Sequence, residues 1–314
     1  MPHQTDDPLR GILLKLSSIL AFLCMQTCIK LAGSGIAPGQ VTFYRSLFGI
    51  VPIIVFLAWR RELKGAYKTS RPFGHFVRSL IGITSMGMGF YGLMHLPLPE
   101  VIALGYAMPL MSVVLAAILL GEVVRVYRWS AVAIGLFGVL IISWPKLTLF
   151  RQGGFGETEA LAVVMVLGGA CLGGLAMVQV RRLLVTENGP TIVLYFSTFA
   201  ALISLATLPF GWADLGMKPL LLLIVAGLFG GVGQIMMTES YRFADASTIA
   251  PFEYSSILFG IVISYFVFGE VPSLNTLAGS VFVVGAGIFI IFREHRLGLE
   301  RRRLRRVTTT QNPN

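Results

Sequence analysis

Charge is scarce in this chain. Asp, Glu, Lys and Arg make up 13% of its 314 residues, about half of the roughly 25% that a water-soluble domain carries. That excludes a polar shell large enough for a soluble protein of this size. With 55% hydrophobic residues and a mean hydropathy of +0.78, lipid is the expected solvent. Cysteine is scarce too. Cys24, Cys28 and Cys171 all lie in apolar segments, so no disulfide framework is implied. Cys24 and Cys28 stand one helical turn apart without a neighbouring His or acid, and read as packing residues, not half a metal site. The four histidines (His3, His75, His95 and His295) fall at segment ends or connections. Gly-x4-Gly-Lys, His-Glu-x-x-His and Cys-x-x-Cys motifs are absent, and the glycine-rich run Gly82–Gly92 follows no strand. No enzyme activity, cofactor or metal is expected.

What is present is a duplication. His95-Leu96-Pro97-Leu98, Ala107-Met108-Pro109-Leu110 and Leu120-Gly121-Glu122-Val123 are echoed by Phe243-Ala244-Asp245-Ala246, Ser255-Ser256-Ile257-Leu258 and Phe268-Gly269-Glu270-Val271. The Gly-Glu pairs lie 148 residues apart, and at that offset Tyr106 falls on Tyr254. Internal repeats in an apolar chain are the mark of a transporter built from two halves.

A membrane span needs about 20 apolar residues. Ten segments meet that rule: 11–32, 38–59, 73–94, 97–120, 127–145, 158–180, 190–210, 217–240, 246–268 and 274–293. The expected fold is therefore all-α, ten transmembrane helices in two five-helix repeats. Residues 1–10 form an N-terminal tail, 11–145 the first repeat, 146–157 a connection, 158–293 the second repeat and 294–314 a basic tail. Residues 1–10 and 297–314 are expected to be disordered. The first segment follows Arg10 but shows no small-x-small cleavage pattern, and reads as a retained span, not a signal peptide. Trp59, Trp129, Trp144 and Trp212 sit at span ends, where an aromatic belt belongs.

The net charge of +10 could suggest a nucleic-acid partner, but its placement argues otherwise. With a cytoplasmic N-terminus, nineteen Lys and Arg fall inside (Lys15 and the tail arginines among them), against three outside, Lys146, Arg151 and Lys218. This is the positive-inside bias, with the Arg301–Arg306 tail beside anionic lipid. Both termini are expected in the cytoplasm of a cell whose inner membrane holds the chain. Five spans per repeat is an odd number, so the halves should be inverted.

Charges at membrane depth usually face the bundle interior and carry function. Lys30, Arg45, Arg78, Glu239 and Glu253 are the candidates. Lys30 is near the outer end of its span and could snorkel. Arg78 is within reach of inner headgroups. Glu239 could pair with Arg242. Glu253 has no local partner and is the strongest candidate for a substrate path. Arg45, Glu239, Arg78 and Lys30 are candidates for ion pairing or coupling. Gln26, Gln179 and Gln234 are taken to lie near span middles, where they either bridge helices or line a wet cavity. Tyr106 and Tyr254, at equivalent positions, are expected to meet one cavity from opposite sides. Pro109 and Pro251 free backbone carbonyls inside spans 4 and 9.

Two five-span halves, each with an Ala/Pro-rich fourth span ending in Gly-Glu, resemble the drug/metabolite transporter superfamily and its EamA-type members. The resemblance covers residues 11–293. Lys68-Thr69-Ser70-Arg71-Pro72-Phe73-Gly74-His75 with Arg78, and Asp245-Ala246-Ser247-Thr248-Ile249-Ala250-Pro251, look like a subgroup that includes S-adenosylmethionine importers. Ala250-Pro251-Phe252-Glu253-Tyr254 looks similar to riboflavin-importer-like members. The first half departs from the second at Gly105, aligned with Glu253. The resemblance implies alternating access without ATP and a central path touching Gln26, Tyr106, Gln179, Gln234, Glu253 and Tyr254. The implied partners are a small-molecule substrate and membrane lipids, with no nucleic acid. A homodimer is a further expectation.

The charge bias makes a direct prediction. A reporter fused after Asn314 should behave as cytoplasmic and one inserted near Gly153 as periplasmic. The reverse pattern would end the ten-span topology.

Overall fold

The computed structural model describes residues 7–120, 125–150, 157–187, 189–244 and 249–310. Among the described residues the chain is helical throughout, without strands. The helices are α1 (Pro8–Ala32), α2 (Pro38–Trp59), α3 (Pro72–His95), α4 (Leu98–Gly105), α5 (Ala107–Leu120), α6 (Val126–Phe150), α7 (Glu157–Leu183), α8 (Gly189–Leu205), α9 (Met217–Phe243), α10 (Ser255–Ile263) and α11 (Leu274–Thr310). A 3-10 segment, Ala250–Tyr254, leads into α10, and a π-helical segment, Ser264–Phe268, ends it. Proline opens α1, α2 and α3, where its missing N–H costs nothing. Gly269 takes φ 66, a left-handed conformation that lets the chain reverse sharply after the π segment. The matching Gly121-Glu122, and Asp245-Ala246-Ser247-Thr248, lie outside the described residues.

Eight helical stretches are long and apolar enough to cross a membrane: Pro8–Ala32, Pro38–Trp59, Leu98–Leu119, Val126–Pro145, Thr158–Val180, Met217–Phe243, Pro251–Phe268 and Leu274–Arg293. The ten expected segments all contain helix, but two fall short of that measure. α3 carries His75, Arg78, His95 and several Ser, Thr and Gly, and α8 is 17 residues long. Three boundaries also move. α1 begins at Pro8, capped by Asp7, inside the tail expected to be disordered. α6 runs on through Phe150 into the expected connection. The expected disorder of 297–314 is corrected through Thr310, because α11 continues that far. Its Leu, Arg and Glu content favours helix over coil. Residues 311–314 lie outside the described set.

The halves interlock. α1 packs on α9 while α7 packs on α3. α2 packs on α9 while α8 packs on α3. α4 and α5 lie on α7 while α10 lies on α1, and α2 meets α8 as α6 meets α11. These packings between halves each have a counterpart with the halves exchanged, while α6 against α7 and α4 against α11 do not. One buried cluster runs through the assembly, including Leu23, Ile29, Leu93, Leu98, Val166 and Leu223. Outward faces carry exposed Phe137, Leu202, Trp144 and Val281, which suits contact with acyl chains.

Close crossings depend on missing side chains. A Cβ on Gly231 of α9 would run into the Gly49 carbonyl and Pro52 of α2, and one on Gly227 would sit 2.6 Å from the Phe48 Cβ. In lipid such backbone approach is a main source of helix association. At Gly89 of α3, by contrast, a Cβ meets open space. Gly231→Val should therefore destabilise the fold by about 1–3 kcal/mol through overpacking, and Gly89→Ala should be neutral. Melting temperatures of the two purified variants check this.

Candidate functional site

The two spans that hold Pro109 and Pro251 are each broken at the duplicated tyrosine. Tyr106 is the C-cap between α4 and α5, and Tyr254 joins the 3-10 segment to α10. The break leaves the Glu253 carbonyl outside a regular helical ladder. The Tyr106 hydroxyl donates to that oxygen at 3.1 Å and also shares a hydrogen bond with Ser256 Oγ, which itself reaches the Glu253 carbonyl at 2.8 Å. The Tyr106 and Tyr254 rings lie 5.0 Å apart, tilted by 52°. Tyr254 is held from behind by Gly287 of α11, where any Cβ would collide with its hydroxyl. The expectation that the tyrosines face each other across a cavity is corrected on this point. The two elbows bring the rings into direct contact, with no gap for a solute between them.

Glu253 is not alone. Its Oε2 pairs with Lys15 Nζ from α1. Lys15 is 1% exposed and Glu253 47%. This revises the placing of Lys15 among the cytoplasmic topology charges. It points inward because the acid on the neighbouring span offsets its desolvation. The opposite end of α1 repeats the device. Lys30 Nζ lies 2.6 Å from Glu270 Oε1 and donates to the Leu96 carbonyl at 2.7 Å. It stands 5.0 Å from the centre of the Phe268 ring. Lys30 therefore does not snorkel to headgroups, because a carboxylate and a carbonyl hold it inside. Glu270 also accepts from Ser264 Oγ at 2.6 Å and from the Leu98 amide at 3.2 Å. Fifteen residues of helix, about 22 Å, separate the two lysines, so α1 is pinned near both ends to the second broken span and the turn that follows it.

Glu270 lies in the turn after the π segment. Partial burial alone would raise its carboxyl. The hydrogen bonds from Lys30 and Ser264, the Lys30 charge and the Leu98 amide outweigh burial and hold it below the usual carboxylate range.

Arg45 and Arg78 meet elsewhere. They line one cavity of about 50 Å³ with Gly49, Phe196, Gly230 and Gln234. Arg78 lies 3.7 Å above the centre of the Phe196 ring. Its head stays in protein and does not reach inner headgroups. Glu239 accepts from Arg60 at 2.9 Å and Arg242 at 2.6 Å, tying the C-terminal ends of α2 and α9. Gln26 Oε1 is buried without a hydrogen-bond partner. Gln179 stands one turn from the end of α7, not at its middle. So the structure joins Tyr106, Tyr254 and Glu253 in one cluster, and Arg45, Arg78 and Gln234 in another.

A third cluster escaped sequence reasoning. Glu187, between α7 and α8, accepts from Thr69 Oγ1 at 2.9 Å, the Ser70 amide at 2.9 Å and Ser70 Oγ at 3.0 Å. Buried His75 lies 3.7 Å from it and stacks on Tyr195. The Thr69-Ser70 pair before α3 was visible, but nothing local in the sequence pointed to Glu187.

Apolar helices of membrane length, charged pairs turned inward and two broken spans define a multi-pass membrane protein of the transporter class. The chain belongs to the EamA-like transporter family, whose profile matches residues 9–144 and 160–293. It is 27% identical over 290 residues to an S-adenosylmethionine uptake transporter of Rickettsia prowazekii, covering 92% of this chain and 94% of that one. It is 25% identical to a pseudopaline exporter of Pseudomonas aeruginosa (88% and 94% covered) and 25% identical to a riboflavin transporter of Vibrio cholerae (90% and 93%). A crystal structure described only as that of a protein superposes with a TM-score of 0.63 at 19% identity, over 91% of this chain and 98% of the other, and shares the fold.

The Glu270 arrangement carries a pH prediction. Its folded-state pKa lies below the unfolded value of roughly 4.3. Its contribution to stability is therefore complete above that value and drains away as pH falls through the folded pKa. Glu270→Gln should melt lower than the parent at pH 7, and the gap should shrink below about pH 4.3. A gap that widens on acidification would refute the linkage.

Proposed function

We propose that the chain is a secondary transporter that carries a small polar or aromatic metabolite across the bacterial inner membrane by alternating access. The observation that carries this reading is the meeting of two interrupted spans at Tyr106 and Tyr254, beside a buried lysine paired with Glu253. Broken spans with ionisable groups are the usual construction of solute sites in secondary transporters. The family and the named activities of the relatives support the same reading. In it, α3 and α8 complete ten crossings, the boundaries at 11–145 and 158–293 delimit two inverted repeats, and both termini are cytoplasmic. The reciprocal packing of the halves supports the inversion. Glu253, Tyr254 and Tyr106 contact the solute, with Gln26, Gln179 and Gln234 further along the path. The Lys15–Glu253 and Lys30–Glu270 pairs act as inner and outer closures, one opening while the other holds. Relatives named as uptake transporters and as an exporter leave both directions open to the same scaffold.

Proteoliposomes loaded with buffer and offered S-adenosylmethionine, riboflavin or amino acids test the reading. A sealed vesicle must accumulate or exchange at least one of them. Glu253→Gln should abolish that flux and lower stability by about 1–3 kcal/mol, less than for a fully buried pair because Glu253 keeps half its surface. Adding Lys15→Met should restore the melting temperature but not the flux. Wild-type flux in Glu253→Gln would remove the residue from the path.

A further inference from the structure

Two cations share the small cavity between α2, α3, α8 and α9, and the described residues supply no acid to pair with either. Arg45 enters from the eighth residue of α2 and Arg78 from the seventh of α3, two helices that run in opposite directions through the bundle. The cavity lies level with Gly49, Gly230 and Gly231, near the middles of α2 and α9. Both guanidinium groups therefore reach toward mid-helix depth, the place where an uncompensated charge costs most. Buried Nε of Arg45, and Nε and Nη1 of Arg78, have no hydrogen-bond partner. Phe196 covers one face of the Arg78 guanidinium and leaves its edge free. Gly230 and Gly82 keep the space open. A Cβ on Gly230 would stand 3.2 Å from Arg45 Nε, and one on Gly82 3.3 Å from Arg78 Nη1.

A purely structural role does not fit this arrangement. An unpaired, partly unbonded guanidinium in an apolar bundle is destabilising, and two in one cavity repel each other as well. Planar N–H forks are matched by carboxylate or phosphate oxygens, which accept two parallel bonds. The space suits such a head group and not a whole metabolite, whose remainder would extend along the path. We propose that the Arg45–Arg78 cavity is an oxyanion site that takes the carboxylate or phosphate group of the transported solute. Gln234 supplies a further polar contact from α9. The identity of the bound group as cargo rests on the transport reading; the binding itself does not.

The full-length protein in detergent tests binding without any flux. Melting temperature is followed against phosphate, acetate and chloride, at constant ionic strength set with a non-binding salt. A saturable rise with phosphate or acetate, absent with chloride and lost in both Arg45→Gln and Arg78→Gln, is expected. No saturable rise in the parent, or a rise retained in both variants, overturns the site. A chloride response equal to the others would make it a general halide pocket and also overturns the oxyanion assignment. Should either Gln variant fail to fold, Arg78→Lys keeps the charge but not the fork, and it should weaken apparent affinity about tenfold, the equivalent of one lost charge-assisted bond. Unchanged affinity overturns the proposal. Flux separates the two readings. Anion binding without accumulation of any solute in vesicles would retain the site and dismiss the transporter, whereas flux without anion binding would do the opposite.

Discussion

A lysine cannot sit in an apolar bundle unless something answers its charge, and this requirement organises the chain around α1. Lys15, almost wholly covered, is answered by Glu253, and Lys30 by Glu270 and the Leu96 carbonyl. Glu253 belongs to the span broken at Tyr254, and Glu270 to the turn that follows it. That span departs from regular helix at each end, through a 3-10 segment and a π segment. Irregular helix of this kind re-aims side chains and frees backbone groups. Here it turns Glu253 toward Lys15 and lets Glu270 fold back on Ser264. The ion pairs explain the breaks, and the breaks make the ion pairs geometrically accessible.

The remaining helices hold this arrangement by interlocking. Each half uses its first and third helices against the other half, so neither could bury its apolar faces alone. Glycine at the crossings brings backbones together where water-driven association is absent. The same thin walls leave the room that Arg45 and Arg78 occupy. Packing and polar chemistry are therefore not separate layers of the design. Filling Gly230 or Gly231 would disturb both.

Much of the architecture was legible in the sequence. Hydropathy located all ten helical segments, and the repeated Gly-Glu located the duplication. Glu253, Arg45 and Arg78 stood out because a charge in an apolar run is rare. The Lys15 partner of Glu253 did not, because pairing across the bundle is set by tertiary contact. Lys15 was counted with the cytoplasmic charges since it lies within one turn of the predicted start of its span. Lys30, close to an end of its span, reads equally as a snorkelling residue or as one member of an ion pair, and the sequence does not name Glu270 as its partner. Tyr106 and Tyr254 were matched by offset, but that they touch follows from helix breaks that composition does not announce. Proline signalled those breaks only approximately. Pro109 falls inside the first turn of α5, where it is well tolerated, so the elbow itself lies at Tyr106.

The Lys15–Glu253 pair has no twin. The position matching Glu253 in the first half is Gly105, and the residues of α7 that correspond to Lys15 fall among Val163, Val164, Met165 and Val166. In an inverted duplication of identical halves, the conformations facing the two sides of the membrane would be mirror-related in function and degenerate in energy. The Lys15–Glu253 latch, which joins the two halves and is replaced by valine and glycine at the exchanged positions, lifts that degeneracy. Under the inverted arrangement proposed above, the unloaded protein has a preferred facing written into its covalent sequence, before any gradient acts on it. Such a scaffold can evolve toward import or export by moving one charged pair, without altering the fold that carries it.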